Sequence, residues 1–99
     1  MYTLEARILH LLIGKSPSNA RYHSDLGVCL FLSGHIHPAR KELKTAISLN
    51  PKFWPAYLSL GAVDVKEGKP QEAFKLYQYV VMHGDKNDPM VKMAREAKP

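Results

Sequence analysis

Apolar residues return every third or fourth position along this chain, with polar residues between them, which is the spacing of one buried face on an α-helix. Leu4, Ile8, Leu11 and Leu12 form the first stripe, and Leu9 and Ile13 broaden it. His23, Leu26, Gly27 and Leu30 fall at i, i+3, i+4 and i+7 of a second helix that starts near Ala20. Gly34 is placed to end it, because glycine takes the left-handed backbone conformation at little cost. Pro38 suits the first turn of a third helix, where no backbone N–H is needed. Ala39, Leu43, Ala46 and Ile47 make its inner face, and Arg40, Lys41, Lys44 and Ser48 are expected to meet water. The pattern then recurs with Tyr57, Leu60 and Gly61, a turn at Gly68, Lys69 and Pro70, and a face of Ala73, Tyr77, Val80 and Val81. Near the end Asp88 is a good N-cap, Pro89 fits a first turn, and Met90, Met93, Ala94 and Ala97 share one face. These stripes predict an all-α chain of about six helices.

The recurrence has a fixed period. Shifted by 34 residues, Leu26 falls on Leu60, Gly27 on Gly61, Gly34 on Gly68 and Ala39 on Ala73, while Leu9 falls on Leu43, Ile13 on Ile47 and Pro17 on Pro51. The matches lie at apolar, glycine and proline positions, the ones that packing constrains. Residues 1–99 therefore read as one domain. It comprises a half unit or N-terminal helix at 3–17, two helix-pair units at 20–53 and 54–87, and a C-terminal capping helix at 88–97 that covers the last open face of the stack. Residues 88–97 also read as the first helix of a third unit, with Val91 and Ala94 in the matching slots but Arg95 where the glycine should stand. The stretch LNPKFWPAY, residues 49–57, is the corner between the units. Asn50 caps one helix, Pro51 prevents its continuation, and Pro55 starts the next with φ already set. Trp54 is expected to pack as a wedge in this corner. Gly27 and Gly61 lie mid-helix, where glycine costs about 1 kcal/mol relative to alanine. A partner helix packed on the bare backbone makes that tolerable.

This arrangement resembles the tetratricopeptide repeat, whose 34-residue unit carries W-x2-L-G-x2-Y, then A-x3-F, then P. The first unit has His23-x2-Leu26-Gly27-x2-Leu30, then Ala39-x3-Leu43, Ala46 and Pro51; the second has Tyr57-x2-Leu60-Gly61-x2-Asp64, then Ala73-x3-Tyr77 and Val80. The resemblance covers residues 3 to 85 and departs from the pattern at Asp64, in a slot for a large apolar side chain, and at Asp85, in the final proline slot. It implies a right-handed superhelical stack of antiparallel helix pairs, with a concave groove lined by the first helix of each unit. It also implies a non-catalytic adaptor or scaffold that holds a peptide or helix of a partner protein. Family members that clamp the acidic C-terminal tails of heat-shock chaperones do so with Lys and Asn on the groove-facing helix. Here the matching slots hold Ser24, Val28 and Ser59, so no chaperone-tail carboxylate clamp is expected. An unpaired buried carboxylate is costly. Asp64 is accordingly expected either part-exposed beside a Lys or His, or in contact with a ligand at the groove edge.

Composition narrows the partners more than the fold. An apolar share of 45% in 99 residues is that of a folded soluble chain with a modest core. A net charge of +5 and a pI near 9.4 favour acidic partners. The cations are scattered along the chain, so a nucleic-acid stripe is not expected. No apolar run approaches the ~20 residues that span a bilayer. The N-terminal stretch has no basic segment before its apolar part and carries Glu5 and Arg7 within it, so it does not read as a signal peptide, and a cytoplasmic location is expected. The lone Cys29 excludes an internal disulfide and reads as a small buried residue. Gly14-Lys15-Ser16 matches the end of a phosphate-binding loop, but Leu9 stands where the first glycine should be, and a helix precedes it in place of a strand. His35 and His37 have no third ligand nearby and read as turn histidines. No nucleophile motif, H-E-x-x-H or C-x-x-C occurs. No catalytic residue, metal or cofactor is expected.

Two surfaces are candidates for binding. On the groove side, Arg21, Ser24, Val28, Phe31 and Leu32 of the first unit and Leu58, Ala62, Val65 and Lys66 of the second lie off the faces that pack within each unit. Stacking in register brings Val28 near Ala62 and Phe31 near Val65. The result is a shallow apolar channel with Arg21, Lys66 and Lys69 at its rim, suited to an amphipathic helix or an extended peptide with acidic flanks. Some of these side chains can instead pack between the units. The alternative surface is the N-terminal helix, where Leu4, Ile8, Leu11 and Leu12 exceed what one neighbouring helix can cover and would support a homodimer.

Overall fold

A computed structural model describes residues 3–97. Among the described residues there are six α-helices and no strand: α1 (Leu4–Lys15), α2 (Ala20–Leu32), α3 (Ile36–Leu49), α4 (Trp54–Lys66), α5 (Pro70–His83) and α6 (Pro89–Glu96). Three starts are capped by side chains: Thr3 accepts from the Ala6 N–H, Asn19 from Tyr22 and Asp88 from Met90. Each satisfies a backbone donor that the helix cannot satisfy itself.

The turns after α2 and α4 are the same structure. Gly34 and Gly68 have φ of 84° and 77°. The Gly34 N–H reaches the Phe31 carbonyl and the His35 N–H reaches Leu30; Gly68 reaches Val65 and Lys69 reaches Asp64 in the same way. This is the paired bonding of a helix end closed by a left-handed glycine. These short turns fold α3 back along α2 and α5 back along α4. At the corner after α3, Pro51 offers no N–H, and the Asn50 side chain accepts from the Lys52 N–H at 3.1 Å.

A second repeated contact involves unlike residues. His23 Nε2 lies 2.8 Å from the Pro17 carbonyl oxygen and carries the proton of that bond. Thirty-four residues on, the Tyr57 hydroxyl donates to the Pro51 carbonyl at 2.6 Å. Each large polar ring at the start of a helix ties down the proline corner just before it. His23 Nδ1 also meets Glu42 Oε1 of α3 at 2.8 Å.

The helices form two rows. α2, α4 and α6 pack in series, whereas α1, α3 and α5 pack only on members of that row and not on one another. The Cα envelope of 34 × 27 × 18 Å is the thickness of two helix layers. The core is divided along the stack into three clusters: Ala6, Leu26, Leu30 and Ala39; then Leu43, Ala46, Ala56, Leu60 and Val63; then Trp54, Tyr57, Val80, Val91 and Ala94. Trp54 is buried at the corner, as expected, between α4, α5 and α6.

Several expectations are corrected. Ser24 is buried, so its side chain does not reach the surface. Arg40 does not simply meet water but is held in an ion pair, described below. Asp64 is buried, with an arginine as its partner in place of a Lys or His. Cys29 is half-buried, not buried. On α6 the buried pair is Val91 and Ala94, while Met93 is 56% exposed. The inward face of α6 is therefore rotated from the Met90, Met93, Ala94 and Ala97 stripe toward the register in which Val91 and Ala94 match Tyr57 and Leu60.

Candidate functional site

The α2/α4 face presents fewer free side chains than its sequence promised. Leu32 and Val65 are 78% and 52% exposed, and Arg21, Ala62 and Lys66 are exposed with them. Val28 is half-buried. Phe31 is half-buried and packs on both the first and the second core cluster, where it joins α2 to its neighbours. Leu58 is half-buried against the cluster of Trp54. Arg21 pairs with Asp25 one turn along α2 at 3.8 Å. An exposed pair of this kind contributes a few tenths of a kcal/mol at most, about 0.5, and leaves the arginine available. The exposed apolar part of the face is thus Leu32, Ala62 and Val65.

On α1, Ala6 is buried and Leu9 and Ile13 pack on the first cluster. Leu4, Ile8 and Leu11 are 69%, 47% and 71% exposed on the opposite side, while Leu12 is half-buried. Cys29 Sγ donates to Glu5 Oε2 of α1 at 3.6 Å. Burial, and then this bond, raise the thiol pKa above its ordinary value, which disfavours the thiolate.

Between α3 and α4 lies an ion-pair knot that sequence alone does not reveal. Arg40 Nη1 donates to Asp64 Oδ1 at 2.6 Å, and Nη2 donates to Glu67 Oε1. Burial works against the Arg40 charge, but the bonds to both carboxylates outweigh it and raise its pKa. The same guanidinium holds the Glu67 carboxyl below its usual range, with Lys69 and His37 assisting. The knot fixes α3 against the end of α4.

The knot borders a cleft of about 870 Å³, which lies on the outer row between α3 and α5 with α4 beneath. Lys44 faces it from α3, Lys75 from α5 and Lys69 from the turn before α5. Leu60 and Leu76 line it as well, and Tyr57 and Tyr79 stack at a centroid distance of 5.3 Å in its wall. His83 stacks on Tyr79 at 4.1 Å. Burial, then the neighbouring Tyr79, raise the Tyr57 pKa. A smaller recess of about 490 Å³ on α3, beside Lys41 and Lys44, adjoins it. These cations are separated along the chain by up to 31 residues, from Lys44 to Lys75, so the scattered charge of the sequence gave no sign of the cluster. Tyr57 and Tyr77 read as core positions; Tyr79, off the periodic stripe, was the available hint.

No helix among the described residues is long and apolar enough to cross a membrane. Over 70 residues, 70% of its length, the chain is 31% identical to the small glutamine-rich tetratricopeptide repeat-containing protein 2 of Saccharomyces cerevisiae, and it spans 20% of that protein. No protein-family model matches it.

Proposed function

We propose that this chain is a non-catalytic protein-interaction module of the tetratricopeptide type. Its units are 20–53 and 54–87, and α6 stands where the first helix of a third unit would begin. It binds a peptide or helix of a partner protein on the α2/α4 face. The observation that carries this reading is the exposed apolar row of Leu32, Ala62 and Val65 on two adjacent inner helices, with Arg21 and Lys66 beside it. The similarity to a repeat-containing protein supports it, as do the two turns and two ring-to-proline bonds that recur at the 34-residue period. The slots where relatives with a carboxylate clamp carry Lys and Asn hold Ser24, Val28 and Ser59, so this reading does not include chaperone tails among the partners.

The test is a peptide-display selection against the intact chain, followed by affinity measurements on Leu32→Glu and Val65→Glu. Interface anchors commonly cost 1–2 kcal/mol or more when lost, so each substitution is expected to weaken the selected peptides by roughly tenfold. Both residues are exposed, and circular dichroism should be unchanged. Selected peptides that bind both variants as well as the parent would place the site elsewhere.

A second reading rests on α1. Leu4, Ile8 and Leu11 form an apolar row left exposed among the described residues, and such rows often mark association sites. On this reading the chain self-associates through α1. Sedimentation across a concentration series is expected to show a dimer that Ile8→Glu abolishes; a parent that stays monomeric at the highest concentration rules it out.

A further inference from the structure

We propose that the outer cleft between α3 and α5 is a second docking site, separate from the α2/α4 face, for an acidic segment of a partner protein that carries one aromatic or large apolar side chain. The cleft is pre-formed. α3 and α5 do not pack against each other, and α4 holds them apart. Arg40 is already committed to Asp64 and Glu67, so the α3 side of the cleft is anchored and a ligand does not have to order it. A volume of about 870 Å³ is that of a ligand-binding cleft.

Its chemistry selects the occupant. Of the four cations that line it, Arg40 is taken up by Asp64 and Glu67 and Lys75 by Glu72, while Lys44 and Lys69 make no ion pair among the described residues. Lys44 and Lys75 approach from opposite walls, with Lys69 at one end, so carboxylates on both sides of a bound segment meet a lysine. Between them, Leu60, Leu76 and the Tyr57–Tyr79 stack form an apolar and aromatic seat for one side chain. The net charge of +5 steers acidic segments toward the protein. A continuous phosphate backbone suits the cleft less well. Glu72 takes up Lys75 at 3.5 Å, so the unpaired cations of the cleft are separate points at Lys44 and Lys69 around an apolar seat, which fits spaced carboxylates about one large side chain and not an unbroken row of phosphates.

The experiment is a titration of the intact chain with an acetylated and amidated Glu/Asp-rich peptide containing one central Phe. Blocking the ends removes any terminal carboxylate from the interaction. Saturable binding is expected, weakened roughly tenfold by Lys44→Glu with Lys69→Glu and about threefold or more when the Phe is replaced by Gly. Lys66→Glu, on the α2/α4 face, is expected to leave it unchanged, so failure here is distinguishable from failure of the inner-face reading. Raising the salt concentration weakens the complex. All three lysines are exposed, and circular dichroism verifies the fold of each variant. The proposal is overturned by absence of saturable binding, by equal losses in the Lys66→Glu and cleft variants, or by tighter binding of an oligouridylate probe than of the peptide.

Discussion

Arg40→Ala is expected to lower the stability of this chain by about 3 kcal/mol, the lower end of the range for removing one partner of a buried ion pair. The loss comes less from the missing attraction than from what is left behind. The Asp64 side chain is 5% exposed, and without Arg40 its charge stays buried with its ion-pair partner gone; Arg40 itself is 21% exposed, which keeps the effect from the top of the range. The slot that Asp64 occupies fits a large apolar residue by sequence. Replacing the pair together, as Arg40→Met with Asp64→Leu, is therefore expected to restore stability to near the parent value or above it, since buried pairs are often matched by well-packed apolar residues. Urea denaturation of the three chains tests this, and a cost below about 1 kcal/mol for Arg40→Ala would mean that solvent screens the pair. The knot also leaves a mark on the acid side. The Glu67 pKa is lowered in the fold by its bond to Arg40, so its share of stability is fully present above the ordinary carboxylate range. That share is lost as pH falls through the lowered folded value. Arg40→Ala removes this share, and its stability should vary less than the parent's over that acid window.

Gly27→Leu and Gly61→Leu are expected to cost about 3 and about 2 kcal/mol, within the range for overpacking a tight contact. A Cβ at position 27 would stand 2.7 Å from Leu43 Cγ, 2.9 Å from Cδ2 and 3.2 Å from the Ala39 carbonyl oxygen. Leu43 is fully buried and has nowhere to move, so α3 itself must shift. A Cβ at position 61 would meet the Tyr77 ring, 2.7 Å from both Cζ and the hydroxyl oxygen. Tyr77 is half-buried and can swing partly outward, which makes the cost at 61 the smaller. The gain of about 1 kcal/mol in helix propensity does not offset either clash. Gly14 provides the control, since a Cβ there would have nothing within 4 Å. Gly14→Ala should raise stability by up to about 1 kcal/mol. Denaturation midpoints decide the matter; parent-like stability in Gly27→Leu would mean that α2 and α3 cross elsewhere.

The local signals in the chain were legible because each acts within a few residues. Periodic apolar positions, Gly34 and Gly68 at positive φ, Pro51 and Pro55 at the corner and Asp88 as a cap all act within one or two helical turns. The bare backbone at Gly27 and Gly61 signalled a close helix partner, and the structure places α3 against the one and α5 against the other. The candidate surface was harder to read. Ser24 occupies a polar-looking position yet is buried, and Phe31 looked free but fills the junction between two clusters. Leu32, Ala62 and Val65 remain exposed, and only their relation to neighbouring helices separates them from Phe31.

By itself, then, the sequence determined that the chain is all-helical, where its six described helices turn, and which face of most of them is apolar, because helix hydrogen bonds and turn conformations are decided by neighbours in the chain. Tertiary structure alone decided which polar residues meet. Arg40 and Asp64 are 24 residues apart; Arg40 was expected in water, and Asp64 part-exposed beside a Lys or His or at a groove edge, but the crossing of α3 and α4 places them in one part-buried pair. It also decided the rotation of α6 onto Val91 and Ala94, and the gathering of Lys44, Lys69 and Lys75 around one cleft. Periodicity specifies which side of a helix is apolar. Which outer residues face each other depends on how far apart two non-touching helices are held, and that distance is set by the side chains of a third.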